Sequence, residues 1–224
     1  MLASPVFVPF VSSFDAYCNT IHNLNMEDDL QEEARVFFEA FKGTLKPSYS
    51  ACTSTVEKLW LDTDGITTAI IDGVRFHGRV LENLKPDTVV FPYSATSGNA
   101  LEKIDLEQYG FMAEFFRETI KREALSVALQ AGLDFYQAKS GIPHLYSINP
   151  GSGSDGRWDV SDLHPLYDVL HAQTETEACV TESSCMLPNK TIAGIWFSSE
   201  KKYSNCGSCP RKRCPERQTP FMGG

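Results

Sequence analysis

From about Phe111 to Ala138 the chain carries a helical repeat too broad to be left alone. Met112, Phe116, Ile120, Ala124 and Ala128 fall four residues apart, and Leu125, Leu129 and Leu133 make a second row beside them. A helix with so wide an apolar stripe needs a flat apolar surface to cover it, and a β-sheet is the usual one. Gly132 lies inside the stripe, where it marks either a tolerated glycine or a close contact. Gly141 and Pro143 end the element.

Residues 25–43 predict a second helix. Asn25 is a good N-cap, and Glu27, Asp28 and Asp29 load its first turn with negative charge. Leu30, Ala34, Phe37, Phe38 and Phe41 line one face, and Gly43 stops it. ITTAIIDGVRF predicts a hairpin, because Asp72-Gly73 supplies the positive φ that a tight turn needs. Gly78 to Leu84 reads as a short helix, Thr88 to Phe91 as a buried strand, and SATSGNALE as a loop. KPSYSACTS reads as a polar connector, and the MLASPVFVPFVSS start as a terminal strand or arm. Asp162 is expected to cap a helix running to about Ala172; His164 and His171 on it are expected to be surface residues. Cys179 to Glu182 and Thr191 to Ser198 read as strands joined through SCMLPNK.

The expected class is therefore α+β: a mixed or mainly antiparallel sheet covered on one side by the 25–43 and 111–138 helices. Residues 1–200 make the domain and 201–224 a basic, Cys-rich C-terminal loop. No stretch of 18 apolar residues occurs, so no membrane span is expected. The net charge of −9 argues against a nucleic-acid partner. Charge is nonetheless uneven, since the segment from Lys201 onward is basic while the remainder is strongly acidic. Such a tail would suit an anionic ligand, an acidic partner or a reduced cluster, or would simply be a solvated loop.

Seven cysteines, an odd number, and the look of a cytoplasmic protein point away from disulfides and toward metal or redox work. Cys206 and Cys209 have the Cys-x-x-Cys spacing that lets two thiolates grip one metal, and Cys214 adds a third. Arg211, Lys212, Arg213 and Arg217 would offset thiolate charge. Cys185, in the loop before the last strand, is the candidate fourth ligand, with Cys179 as second choice. Spacing leaves three possibilities open: an iron–sulfur cluster, zinc, or a metal-free thiol loop. No nucleophile elbow and no paired-carboxylate signature is present, so no catalytic residue is assigned.

Three stretches are familiar in order. VTESSCMLPNKTIAGIWFSSEKKY, SINPGSGSDGRWDVSDLHPLYDVL and HGRVLENLKPDTVVFPYSATSG together resemble the activation domain of cobalamin-dependent methionine synthase. The likeness is greater to the short stand-alone relatives of that domain in anaerobes. It implies docking on a corrinoid-binding protein or domain, with cobalamin on that partner, and support for its reactivation. It also implies a ligand site at Asn149, Pro150, Gly151, Glu182 and Tyr203, where the family holds S-adenosylmethionine. The family's signature is an Arg, two residues, then Pro-Gly-Tyr. Pro150 and Gly151 match it, while Ser147 and Ser152 stand at the Arg and Tyr positions. A serine cannot supply the bidentate fork that an arginine offers a carboxylate, which argues against S-adenosylmethionine being held in the family's way. The same resemblance favours the iron–sulfur option, because reactivating a corrinoid would use an electron-transfer centre.

Overall fold

The structure is a computed structural model that describes residues 2–19, 28–152, 157–211, 213–214 and 219–221. Asn25, Glu27, Lys212 and Arg217 lie outside the described residues.

Among the described residues, ten strands and five α-helices follow in order. β1 (Val6–Phe7), α1 (Phe14–Asn19) and α2 (Asp28–Phe41) lead into β2 (Ser48–Ala51) and β3 (Ser54–Leu61). β4 (Thr67–Ile71) and β5 (Val74–His77) form the expected hairpin, with Asp72 at φ 48° and Gly73 at φ 78° in its turn. A 3-10 turn over Arg79–Asn83 precedes β6 (Val89–Thr96). Then come α3 (Ala113–Ser140), β7 (Leu145–Ile148), α4 (Leu163–His171), the short pair β8 (Cys179–Val180) and β9 (Met186–Leu187), β10 (Thr191–Ser198) and α5 (Asn205–Ser208).

β6 is the spine of an antiparallel sheet. On one edge it pairs with β2 (Tyr49 opposite Ala95) and then with the start of β3 (Ser54 opposite Val90). On the other edge β10 runs its length, from Thr191 opposite Thr96 to Trp196 opposite Phe91. β7 adds beyond β10, β4 and β5 beyond β3, and β1 beyond β2. The fold class is thus α+β with an antiparallel sheet.

Two expectations change here. SATSG is not a loop up to Thr96, and KPSYSACTS is not simply a connector, because Ser48–Ala51 and Ser54 onward are strands. Ser48, Ser50, Ser94 and Thr96 are small enough to be buried between paired strands, so their polarity misreads as loop. The helices expected on one side are there, and a further helix covers the other face. α3 lies on the side of Tyr49, Phe91, Tyr93 and Trp196. α4 lies on the other, over Val90, Ala193 and Ile195. α2 packs on the first half of α3, where Phe37, Phe38 and Phe41 meet Ala113, Phe116 and Ile120.

Gly132 is a close contact. A Cβ there would lie 2.8 Å from Trp196 and 3.0 Å from Tyr49, so its absence lets α3 approach the sheet. Asp162 precedes α4, but its side chain does not cap that helix. Its Oδ2 instead accepts from the Trp158 indole at 2.6 Å and the His77 amide at 3.1 Å, tying the loop before α4 to the hairpin. Burial pushes its carboxyl above the ordinary range, and those two donors oppose the shift.

Candidate functional site

β7 ends at Ile148 beside β10, and the chain turns away through Asn149, Pro150 and Gly151. The turn is held by backbone: Gly151, at φ 76°, donates its N–H to the Trp158 carbonyl at 2.9 Å, and Ser152 donates to Asn149 at 3.1 Å. Positive φ suits glycine, and Val160 packs 3.3 Å from where its Cβ would be.

Asn149 is buried, at 4% exposure, and every hydrogen-bonding position of its amide is used. Its Nδ2 donates to the Tyr93 hydroxyl at 2.7 Å and the Ala193 carbonyl at 2.8 Å. Its Oδ1 accepts from Ser147 at 3.1 Å and Asn205 at 2.9 Å. Tyr93 and Ser147 are themselves 2.7 Å apart. With the Ser147 proton on Asn149, Tyr93 is the donor to Ser147, and the three side chains close a ring of hydrogen bonds. Burial pushes the Tyr93 phenol up, and its bonds to Ser147 and Asn149 pull against that. The Tyr93 ring stacks on Trp196 at 4.0 Å and 7° between planes.

The network continues into the tail. Tyr203 donates to Asn205 Oδ1 at 3.0 Å, and its ring meets Phe197 edge-on at 5.6 Å. Ser204 caps the single turn of α5 by accepting from Gly207, and its hydroxyl pairs with Thr219 at 2.7 Å. Of the sequence-predicted ligand positions, Asn149 and Tyr203 are therefore joined through one intermediate side chain, with Pro150 and Gly151 in the adjoining turn. Glu182 is placed elsewhere: it is exposed in the turn between β8 and β9, where Thr181 pairs with Ser183 and accepts from the Cys185 amide.

The proposed thiol ligands are not gathered. Cys185 is exposed in that same turn, and Cys179 sits opposite Leu187 in β8. Cys206, Cys209 and Cys214 are half-buried in the tail. Among the described residues, no three His, Cys, Asp or Glu side chains are grouped so as to hold a metal ion. The four-thiol grip expected of Cys206, Cys209, Cys214 and Cys185 is not assembled. Cys185 is held by its own hairpin, and spacing along the chain carries no information about that.

Sequence reasoning passed over Tyr93 and Asn205. Tyr93 falls between the expected Thr88 to Phe91 strand and the expected loop, and Asn205 belongs to no periodic pattern or motif. A second polar hub was missed as well. Lys121, on α3, is 1% exposed, and its ammonium donates to Glu102 (2.7 Å), Glu118 (3.0 Å) and Asn189 (2.6 Å). It anchors the loop leading into β10 from beneath, beside a cleft of about 390 Å³ lined by Glu102, Leu187, Pro188 and Asn189. Its only sequence signal was a lysine at an inward position of the helical repeat.

No family model and no curated protein matches this chain. Among solved structures, it is similar to the MetH reactivation domain bound to AdoHcy. The match has a TM-score of 0.57 and 12% identity, and covers 89% of this chain and 79% of that one. The fold is that of the MetH reactivation domain. At this identity the likeness is one of fold, which by itself does not carry a function.

Proposed function

We propose that this chain is an accessory protein of a corrinoid-dependent methyl-transfer system, docking on a corrinoid-bearing partner and supporting its reactivation. The observation that carries the reading is the convergence of the Asn149–Gly151 turn and Tyr203 into one hydrogen-bonded set. It occurs on a fold shared with a reactivation domain that binds AdoHcy. The two segments are 52 residues apart in the chain, and the sequence resemblance to activation domains rests on both of them.

The fit to S-adenosylmethionine is poor. None of residues 147–152 is cationic, and the Ser147 hydroxyl is committed to Asn149 and Tyr93. Asn149 has no hydrogen-bonding position left for a ligand. The proposed role is therefore docking rather than methyl donation. A metal or iron–sulfur centre is likewise not built into the role, because the thiols that would hold it are not brought together among the described residues.

The test is a titration of a purified corrinoid protein in its cob(II)alamin state with this chain, followed by visible spectroscopy. Saturable binding with a change in cobalt coordination is expected, and Tyr203→Ala should weaken it. Absence of binding both with and without S-adenosylmethionine overturns the reading.

A further inference from the structure

We propose that Cys206 and Cys209 form a reversible dithiol–disulfide pair whose state is read at Asn149 through Asn205. The two cysteines are the ends of a single turn, since the Cys209 amide donates to the Cys206 carbonyl at 3.3 Å. A four-residue turn brings its end Cα atoms within about 7 Å, which overlaps the roughly 4.4–6.8 Å that a disulfide spans. Both residues are half-buried, so a small disulfide reaches them while bulk solvent does not fully wet them. Two thiols suffice for this chemistry, whereas a metal centre needs donors that are not grouped here among the described residues. Exposed Arg211 and Arg213 follow closely and would draw in an anionic disulfide.

The reaction is thiol–disulfide exchange with a low-molecular-weight disulfide. One thiolate of the pair attacks a sulfur of that disulfide and releases one small thiol. The second cysteine attacks the resulting mixed disulfide, forms the Cys206–Cys209 bond and releases the other small thiol. The pair loses two electrons and two protons, and the small disulfide gains them.

The turn is fixed at its start. Ser204 caps it and holds Thr219, and Asn205 bridges the Tyr203 hydroxyl and Asn149 Oδ1. Cross-linking Cys206 to Cys209 tightens the backbone next to Asn205, so the strain reaches the Asn149 turn by way of that amide. This inference holds whether or not the chain docks on a corrinoid protein.

The experiment uses the full chain, purified anaerobically, assayed for iron, zinc and sulfide, and then titrated with oxidised glutathione. Alkylation and peptide mass spectrometry should show a Cys206–Cys209 linkage that dithiothreitol reverses and Cys214→Ser retains. Cys209→Ser should trap a glutathione adduct on Cys206. Hydrogen exchange across residues 145–151 should differ between the reduced and oxidised forms, and Asn205→Ala should erase the difference. Stoichiometric iron or zinc that Cys206→Ser removes overturns the proposal, as does a linkage made mainly to Cys214, or thiols that stay alkylatable. Unchanged exchange at 145–151 on oxidation overturns the transmission through Asn205.

Discussion

Asn205 Nδ2 lies 2.9 Å from Asn149 Oδ1, joining the residue before the first tail cysteine to the turn that follows β7. Asn149 is the buried member of that pair and also serves Ser147, Tyr93 and the Ala193 carbonyl. The tail is thereby connected to the middle of the sheet through one fully satisfied amide.

The two ends of this bond should differ in cost. Asn149→Ala leaves buried partners unsatisfied and should lower stability by about 2–3 kcal/mol. Asn205→Ala removes partly buried bonds that water can replace, and should cost about 1 kcal/mol or less. Urea unfolding of the two variants checks this, and equal losses would contradict the burial argument.

Gly194 sits where β10 passes the end of β7. A Cβ there would lie 2.3 Å from both the Ile148 carbonyl oxygen and Asn149 Nδ2. The first is backbone, so the strands would have to part, and Gly194→Ala should destabilise by about 3 kcal/mol. For Gly132→Ala the nearest atoms belong to the Trp196 and Tyr49 rings rather than to backbone, and the change gains roughly 1 kcal/mol of helix propensity, so its net loss should be smaller. Thermal unfolding of the pair ranks them.

Lys121→Met should cost about 2 kcal/mol. Removing one partner of a buried ion pair costs more where the remaining charge is sealed from water, but Glu102 and Glu118 are near one-third exposed. Adding Glu102→Gln to Lys121→Met should restore part of the loss. A double-mutant cycle with purely additive losses would refute coupling between them.

Glu118 makes this hub sensitive to acid. Burial pushes its carboxyl up, but bonds and charge from Lys190 and Lys121 outweigh that and leave it below its ordinary value of 4.5. Near that pH the unfolded chain holds more protons on this group than the folded protein does, so stability rises with pH there. The contribution is present above the ordinary value and is lost as pH falls through the lower folded value. Urea midpoints between pH 5 and pH 3 should drop less steeply in Glu118→Gln than in the parent chain.

Much of the architecture was legible one element at a time. The α3 stripe, the Asp72-Gly73 turn, the apolar face of α2 and the β10 strand all rest on local periodicity or on one residue's backbone preference. β2 and most of β6 were not legible, because serines and threonines buried between paired strands look like those of a loop. Within the site, the Pro150-Gly151 turn and Tyr203 were marked by their place in recurring segments. Tyr93 lies in one of these segments too but at no signature position, and Asn205 and Lys121 lie outside them.

The chain's own pattern determined that a broad helix would lie on a sheet, where its tight turns fall, and that the tail would be basic and rich in thiols. Only the tertiary structure decided that Asn149 is buried with all its hydrogen bonds met, that Asn205 reaches it, and that Cys185 belongs to a separate hairpin. The physical reason is range. Periodicity and φ preferences act over a few residues, whereas a hydrogen bond such as Asn205 to Asn149 spans 56 positions and forms only when two strands and a tail converge.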